Sequence, residues 1–200
     1  MHPGALSFMA DITLEGEFVT LRPIAVDDAS LTLTWRKSAR AANLNVPPQS
    51  LEQQTNWIAT RPDSEYNFII ELKDGRRVGM VSLTGVDTTH RRAEPGRFLI
   101  GDEEAVRGLP VAVEAMKLVY ELAFGKLGLQ RVHGSVASDN KLMIKWQKFM
   151  GMTEEGRLRN HYFINGKFQD AVIFGLLAEE YAAKTKPNME VFIKAARKAK

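Results

Sequence analysis

Alternating apolar and polar positions, separated by turn residues, predict a run of strands in the first half of the chain. Residues 19–24 alternate in this way and contain Pro23, which indicates a short strand. Residues 66–72 and 77–83 flank an Asp-Gly pair, the turn signal typical of a β-hairpin. Residues 91–101 continue the pattern with Pro95-Gly96 in the middle, where we expect a bulge. Together these segments predict a three-strand meander preceded by one strand.

Helical periodicity marks the segments before and after this meander. Asp27 and Asp28 open a helical stretch that runs through Trp35, and Ser50 precedes a second one in a capping-box arrangement. From Val111 onward, apolar residues recur every three or four positions through Leu127, so a long amphipathic helix is expected there. This helix therefore follows the third strand of the meander after a short loop.

The rest of the chain predicts a strand at 130–138, a helix at 139–151, and two long strands separated by an Asn-Gly turn, with a helical tail. This order indicates a single α/β domain with one central sheet. We assign residues 16–182 to that domain, residues 1–15 to a loose N-terminal extension, and residues 183–200 to a basic C-terminal helix or tail.

Composition narrows the function classes. Of the 200 residues, 44% are apolar and 26% charged, as in ordinary soluble proteins, and the absence of cysteine excludes disulfides and thiolate chemistry. The net charge of +3 is too small to favour nucleic acid as a partner, and its excess lies in a tail that we interpret as a solvated helix end. No apolar run reaches the ~20 residues of a membrane span, and the N-terminus lacks a signal peptide's pattern. We therefore expect a cytoplasmic protein without a membrane or nucleic-acid partner.

The loop ahead of the long helix has the features of an anion site. Its sequence is Arg107-Gly108-Leu109-Pro110-Val111-Ala112. The first turn of a helix leaves about four N–H groups without internal partners, and the helix dipole adds positive charge there. Gly108 allows a ligand close to the backbone, and Arg107 can add a charge-assisted contact. The alternative is a helix with proline near its first position, which needs no ligand.

These residues resemble known motifs. Residues 107–112 resemble the (Arg/Gln)-x-x-Gly-x-(Gly/Ala) pyrophosphate loop of the GNAT superfamily of acetyltransferases, and 140–152 are similar to its Asn-x-x-Ala-Ile…Gly-Phe segment. Residues 154–181 resemble the closing hairpin of a subgroup that contains ribosomal-protein N-terminal, spermidine and amino-sugar N-acetyltransferases. The resemblance covers residues 17–181. It implies a mixed, mostly antiparallel central sheet with one splayed parallel strand pair and flanking helices.

The resemblance also implies acetyl-CoA as co-substrate, without a metal. The coenzyme would lie between the splayed strands 98–101 and 133–137. Backbone groups near Leu99 and Ile100 would bind the pantetheine arm, and Asn140 would contact the coenzyme between pantetheine and pyrophosphate. The pyrophosphate itself would lie on the loop, against Arg107, Gly108, Leu109, Val111 and Ala112. Capping of the following helix is an independent role for Asn140.

Two positions depart from the family pattern. Pro110 stands where the loop has an internal glycine, which removes one N–H donor. Gln147 stands where many members have a tyrosine that protonates the departing CoA thiolate, and an amide cannot act as a general acid. A hydrogen bond from Gln147, a proton from water, or Tyr162 remain alternatives for this step.

The base that takes the amine proton is predicted to be Glu94, at a strand position where the subgroup often carries glutamate. The alternative is a structural salt bridge to Arg91, Arg92 or Arg97. His90 and His133 are weaker candidates.

For the acceptor, Trp35-Arg36 resembles the Trp-Arg-Asn opening of amino-sugar acetyltransferases, although Lys37 replaces the asparagine. Arg36, Arg40, Arg159 and His161 could meet a phosphate-bearing acceptor, or could be solvated surface residues.

The sequence therefore predicts an acetyl-CoA-dependent N-acetyltransferase acting on a primary amine of a small metabolite, a nucleotide-linked amino sugar or a protein N-terminus. Direct attack in a ternary complex is the expected route. The alternative is a non-catalytic acyl-CoA-binding or sensor module. A homodimer joined through sheet edges or the closing hairpin would fit either function.

Overall fold

The computed structural model of the protein describes residues 12–41, 47–62 and 64–198, with the side chains of Arg40 and Lys198 excepted. The strands are β1 Leu14–Glu15, β2 Val19–Pro23, β3 Tyr66–Leu72, β4 Arg77–Asp87, β5 Arg92–Ile100, β6 Arg131–Ala137, β7 Thr153–Ile164 and β8 Lys167–Leu177. They form one sheet in the order β1-β2-β3-β4-β5-β6-β8-β7. Among the strands of the described residues, only the pair β5–β6 is parallel.

The helices follow the predicted order. They are α1 Ala29–Arg36, α2 Leu51–Ala59, α3 Val111–Tyr120, α4 Lys141–Phe149, α5 Ala178–Glu180 and α6 Lys186–Lys198. Short 3-10 turns cover Val26–Asp28 and Ala39–Ala41, and π-helical turns cover Glu121–Lys126 and Tyr181–Thr185. As the sequence predicts, Ser50 caps α2, because its side chain accepts a hydrogen bond from the Gln53 N–H. The predicted fold class is confirmed.

Residues just outside both predicted domain boundaries belong to the sheet or to the core. Leu14 is 5% exposed and pairs with Leu21 of β2, so the sheet begins before the predicted boundary at residue 16. Residues 1–11 lie outside the described part of the chain. Met189 and Ile193 of α6 are buried in the core, so the C-terminal helix packs on the domain. The domain division itself stays a prediction.

Two buried clusters cover opposite faces of the sheet. The larger contains residues of α3 and α6 together with Val132 and Val136 of β6 and Phe174 of β8. The smaller joins α1 and α2 to β3, β4 and β5, through residues that include Trp35, Ile58 and Leu99. Within the described residues, no helix is both long and apolar enough to cross a membrane.

Candidate active site

The parallel strands β5 and β6 part soon after they begin. They pair only through Arg92 with Arg131 and Ala93 with Val132. Beyond this point β5 stays with β4 as far as Ile100, while β6 stays with β8 along its whole length. An opening, here called the splay, therefore separates the two strands, and its vertex lies at Glu94 and His133. The predicted splayed pair is confirmed.

Backbone groups at the end of β5 alternate between β4 and the splay. The Gly101 N–H donates to the Val78 carbonyl oxygen at 2.8 Å, and the Leu99 carbonyl oxygen lies against Gly79 of β4. Because successive residues of a strand direct their N–H and C=O groups to opposite sides, those of Ile100 face the splay. Ile100 is therefore suited to bind a ligand there, whereas the carbonyl of Leu99 faces β4. The predicted contact at Leu99 stays a prediction.

The loop before α3 presents free amides. The first intrahelical hydrogen bond runs from the Glu114 N–H to the Pro110 carbonyl at 2.9 Å, so Pro110 is the N-cap and lies outside the first turn. The first-turn N–H groups of Val111 and Ala112 therefore have no intrahelical partner. Leu109 differs, since its N–H already donates to Val106.

Gly108 and Arg107 lie on the exposed side of this loop. Gly108 has φ +76°, a conformation that glycine adopts without strain, and no atom lies within 4 Å of a Cβ built on it. Arg107 is exposed and ion-paired with Glu104. Both residues leave space for an anion beside the first turn of α3.

Glu94 and His133 lie beside each other at the vertex. Each follows the last paired residue of its strand, and Glu94 Oε1 lies 3.9 Å from a Cβ built on Gly134. Partial burial lowers the pKa of His133, with smaller opposing and reinforcing effects from Glu94 and Arg131. His133 is therefore neutral near pH 7.

The salt-bridge alternative for Glu94 is wrong. Each candidate arginine binds another group: Arg91 the Gly128 carbonyl, Arg92 the Asp87 carboxylate and Arg97 the Glu65 carboxylate. Among the described residues, Glu94 has no ion pair. Its carboxylate is left without a structural counter-ion at the point where the strands part.

Helix α4 borders the splay on the side of the larger cluster. Asn140 is its N-cap, and the side-chain oxygen accepts a hydrogen bond from the Met143 N–H at 3.2 Å, which confirms the predicted capping role. Gln147 is half-buried on this helix. The ring of Trp146 stacks on Phe98 of β5.

Burial divides the predicted acceptor residues into two kinds. Trp35 and Arg36 are 6% and 7% exposed. The Trp35 ring packs against Gly101, and burial, followed by the charge of nearby Arg97, lowers the pKa of Arg36. Arg159 and His161, in contrast, are exposed on β7, while the Arg40 side chain lies outside the described residues. A binding role for the buried pair is limited by the little surface it offers, and all four assignments stay predictions.

One contact between two polar side chains near the splay was not predicted from the sequence. Ser135 of β6 and Tyr162 of β7 form a hydrogen bond of 2.6 Å between their hydroxyl oxygens. The sequence suggested Tyr162 as an alternative proton donor without placing it in the fold, and it did not single out Ser135. No group of three or more histidine, aspartate or glutamate side chains in a metal-binding arrangement occurs in the described ranges.

Comparison with known proteins agrees with this geometry. Residues 19–153 match the family described as the acetyltransferase (GNAT) domain. The chain belongs to the GNAT acetyltransferase family. It is therefore an acyltransferase of the N-acetyltransferase type.

Relatives and solved structures of this family extend the match. The spermidine N(1)-acetyltransferase of Escherichia coli strain K12 is 31% identical over 131 residues, which are 66% of this chain and 68% of that protein. A prophage-derived N-acetyltransferase of Bacillus subtilis strain 168, YokL, is 28% identical over 169 residues, 83% of this chain and 93% of that one. A crystal structure of a GCN5-related N-acetyltransferase from Brucella melitensis has the same fold, with a TM-score of 0.76 and 22% identity over 90% of this chain and 85% of that one.

Proposed function

We propose that the protein transfers the acetyl group of acetyl-CoA to a primary amine by direct attack within a ternary complex. The observation that carries this proposal is Glu94, a carboxylate without an ion pair among the described residues, beside His133 at the vertex of the splay. An amine that attacks a thioester must lose a proton, and Glu94 is available to accept it directly or through water.

The residues around the splay support the proposal of acetyl-CoA as co-substrate. The amides of Val111 and Ala112, with Gly108 and Arg107, would hold the pyrophosphate. The backbone of Ile100 would bind the pantetheine arm, with Leu99 and Asn140 as further predicted contacts. Acetyl-CoA would supply the thioester carbonyl, and these residues would direct it towards the vertex.

Neutral His133 and half-buried Gln147 complete the proposed machinery. Because burial lowers the pKa of His133, the imidazole carries no charge near pH 7 and forms no ion pair with Glu94. The side-chain amide of Gln147 would donate a hydrogen bond to the sulfur of the coenzyme. Holding amine and thioester together would supply much of the rate.

The acceptor that we infer is a primary amine of a small metabolite, a nucleotide-linked amino sugar or a protein N-terminus. A polyamine, as in the spermidine-acetylating relative, calls for free carboxylates. Here Glu94 is assigned as the base, and three other carboxylates are paired with arginines: Glu65 ahead of β3 with Arg97, Glu155 of β7 with Arg131 and Asp170 of β8 with Arg157. Exposed Arg159 and His161 instead favour an acceptor that carries a phosphate.

A thiol-release assay tests the proposal. Acetyl-CoA is offered with spermidine, a UDP-linked amino sugar and a peptide with a free N-terminal amine, and CoA release is followed. We expect turnover with at least one amine, and Glu94→Gln should reduce it by roughly 100-fold. The matched control is Glu71→Gln, which removes a carboxylate on β3, two strands away from β5, that is paired with Arg22. Tight acetyl-CoA binding without turnover for any amine would favour the acyl-CoA sensor instead.

A further inference from the structure

Ser135 and Tyr162 join two strands that are not neighbours in the sheet. Their hydroxyl oxygens lie 2.6 Å apart, although β8 separates β6 from β7. The Tyr162 side chain must therefore cross β8 to reach the strand that borders the splay. Both side chains are half-buried, so the pair is sheltered but not sealed from water.

A bulge in β7 makes this reach possible. Leu158 pairs with Ala171 and Tyr162 with Gln169, so β7 advances four residues where β8 advances two. Within the bulge Asn160 has φ +49°, and its N–H donates to Asp170 Oδ1 at 3.0 Å. Bulges re-aim side chains, and a positive φ at a residue other than glycine is uncommon. The local structure thus directs Tyr162 across the neighbouring strand.

Ser135 lies on the same face of β6 as His133, because the two are separated by one residue. That face is opposite the one buried by Val132 and Val136 in the larger cluster. Ser135 is two residues further from the vertex than His133, a distance of roughly 7 Å along the strand. From the vertex outward, the polar groups are therefore Glu94 with His133, and then Ser135 with Tyr162.

This order matches the order of the reacting atoms in the proposed function, on which the inference rests. A thioester with its carbonyl carbon near Glu94 has its sulfur one bond further towards the mouth of the splay. We propose that the Ser135–Tyr162 hydroxyl pair donates the proton that the departing CoA thiolate takes up. The side chain at Gln147, where the family often has tyrosine, is an amide and has no acidic proton to give.

In the proposed transfer one bond forms, one bond breaks and each proton has a named acceptor. The acceptor nitrogen forms a bond to the carbonyl carbon, and the C–S bond breaks with its electron pair on sulfur. The sulfur takes the Ser135 hydroxyl proton, Ser135 takes that of Tyr162, and half-buried Tyr162 is reprotonated from solvent. The proton lost by the amine goes to Glu94, directly or through water.

Leaving-group dependence tests this role. Tyr162→Phe and Ser135→Ala are assayed with acetyl-CoA and with acetyl-seleno-CoA, using the fastest amine of the three-member panel. A selenolate is a much weaker base than a thiolate and can leave without a proton. We expect Tyr162→Phe to lower kcat with acetyl-CoA by roughly 100-fold at an unchanged KM, and with the selenium analogue by less than about 3-fold. Equal losses of kcat with acetyl-CoA and acetyl-seleno-CoA, or no loss with either substrate, would overturn the proposal.

Three controls separate this role from others. Tyr66→Phe removes a hydroxyl from a tyrosine of the larger cluster and should leave kcat unchanged with both substrates. Gln147→Ala removes only a hydrogen bond to the sulfur and should be rescued by selenium to a smaller extent than Tyr162→Phe, whereas an equal or larger rescue would assign the leaving-group role to the α4 side instead. If Tyr162→Phe melts before the assay temperature, Ser135→Ala decides the outcome. A wild-type protein that is inactive with every amine overturns the proposed function and this inference together, whereas an active wild type with an unaffected Tyr162→Phe variant overturns only the inference.

Discussion

The indole ring of Trp146 stacks on the phenyl ring of Phe98, with centroids 5.5 Å apart and planes inclined by 5°. Phe98 lies on the part of β5 that has left β6, and Trp146 lies on the helix that follows β6. The two rings therefore bridge the splay on the side of the larger cluster. Such a pair contributes only about 0.5–1.5 kcal/mol beyond the area it buries, so a tightly bound coenzyme can separate the rings.

Acetyl-CoA binding should therefore change the fluorescence of Trp146. The arm of the coenzyme would enter between β5 and α4, and this would alter the contact of the indole with Phe98. A titration of the wild-type protein should give a saturable change in emission. In Trp146→Phe, which keeps Trp35 and Trp57, most of that change should disappear although calorimetry still detects binding. An undiminished signal in the variant would place the responding tryptophan elsewhere.

Gly101→Ala should destabilise the protein. A Cβ on Gly101 would lie 2.3–2.4 Å from atoms of the Trp35 ring, which is enclosed by the smaller cluster and cannot swing away. Overpacking of this kind costs typically about 1–3 kcal/mol of unfolding free energy. Chemical denaturation measures the loss. Gly96→Ala, five residues earlier within β5, is the matched control, because nothing lies within 4 Å of its added Cβ, and an equal loss in the two variants would contradict the packing argument.

Sequence pattern predicts the elements of this fold well because the signals are local. Alternation, the Asp-Gly and Asn-Gly turns and the helical stripe from Val111 each lie within one segment. The splay was predicted only through family resemblance, since no local pattern states where two distant strands separate.

Contacts that depend on register or on long sequence separation were missed. Tyr162 reaches Ser135 because two additional residues enter β7 opposite β8, and this shift leaves no alternation signal of its own. Trp35 was predicted to bind the acceptor because Trp35-Arg36 resembles the Trp-Arg-Asn opening of amino-sugar acetyltransferases, and that pattern carries no sign of the burial of its ring. The Trp35 ring packs into the space left by Gly101, which has no side chain and is 66 residues away in the chain.

Glu114 illustrates the same limit and leads to a further prediction. A charged residue in an amphipathic helix is normally expected to face solvent, yet the Glu114 side chain is only 4% exposed. Its carboxylate accepts hydrogen bonds of 2.7–2.8 Å from the N–H groups of Glu17, Phe18 and Val19, and so fastens the turn between β1 and β2 to α3.

Glu114→Gln should lower the unfolding free energy by about 1–3 kcal/mol. The substitution keeps the shape of the side chain but points an NH₂ group at backbone donors, so at least one buried N–H loses its acceptor. Thermal and denaturant unfolding measure the change. Glu179→Gln, at an exposed position of α5, is the matched control and should be nearly neutral. If both variants unfold alike, the three hydrogen bonds contribute no net stability.

The stability of the protein should depend on pH through His133. Burial lowers the pKa of His133 in the folded state, whereas in the unfolded chain it titrates near about 6.5. As the pH falls below that value, the unfolded state takes up a proton that the folded state resists, and the unfolding free energy decreases until the folded pKa is reached. His133→Gln removes this contribution, so its unfolding free energy should vary less with pH just below 6.5 than that of the wild type. His90→Gln, at an exposed position, is the matched histidine control. Parallel wild-type and His133→Gln curves across this interval would mean that the histidine titrates alike in both states, and that its neutrality beside Glu94 does not come from burial.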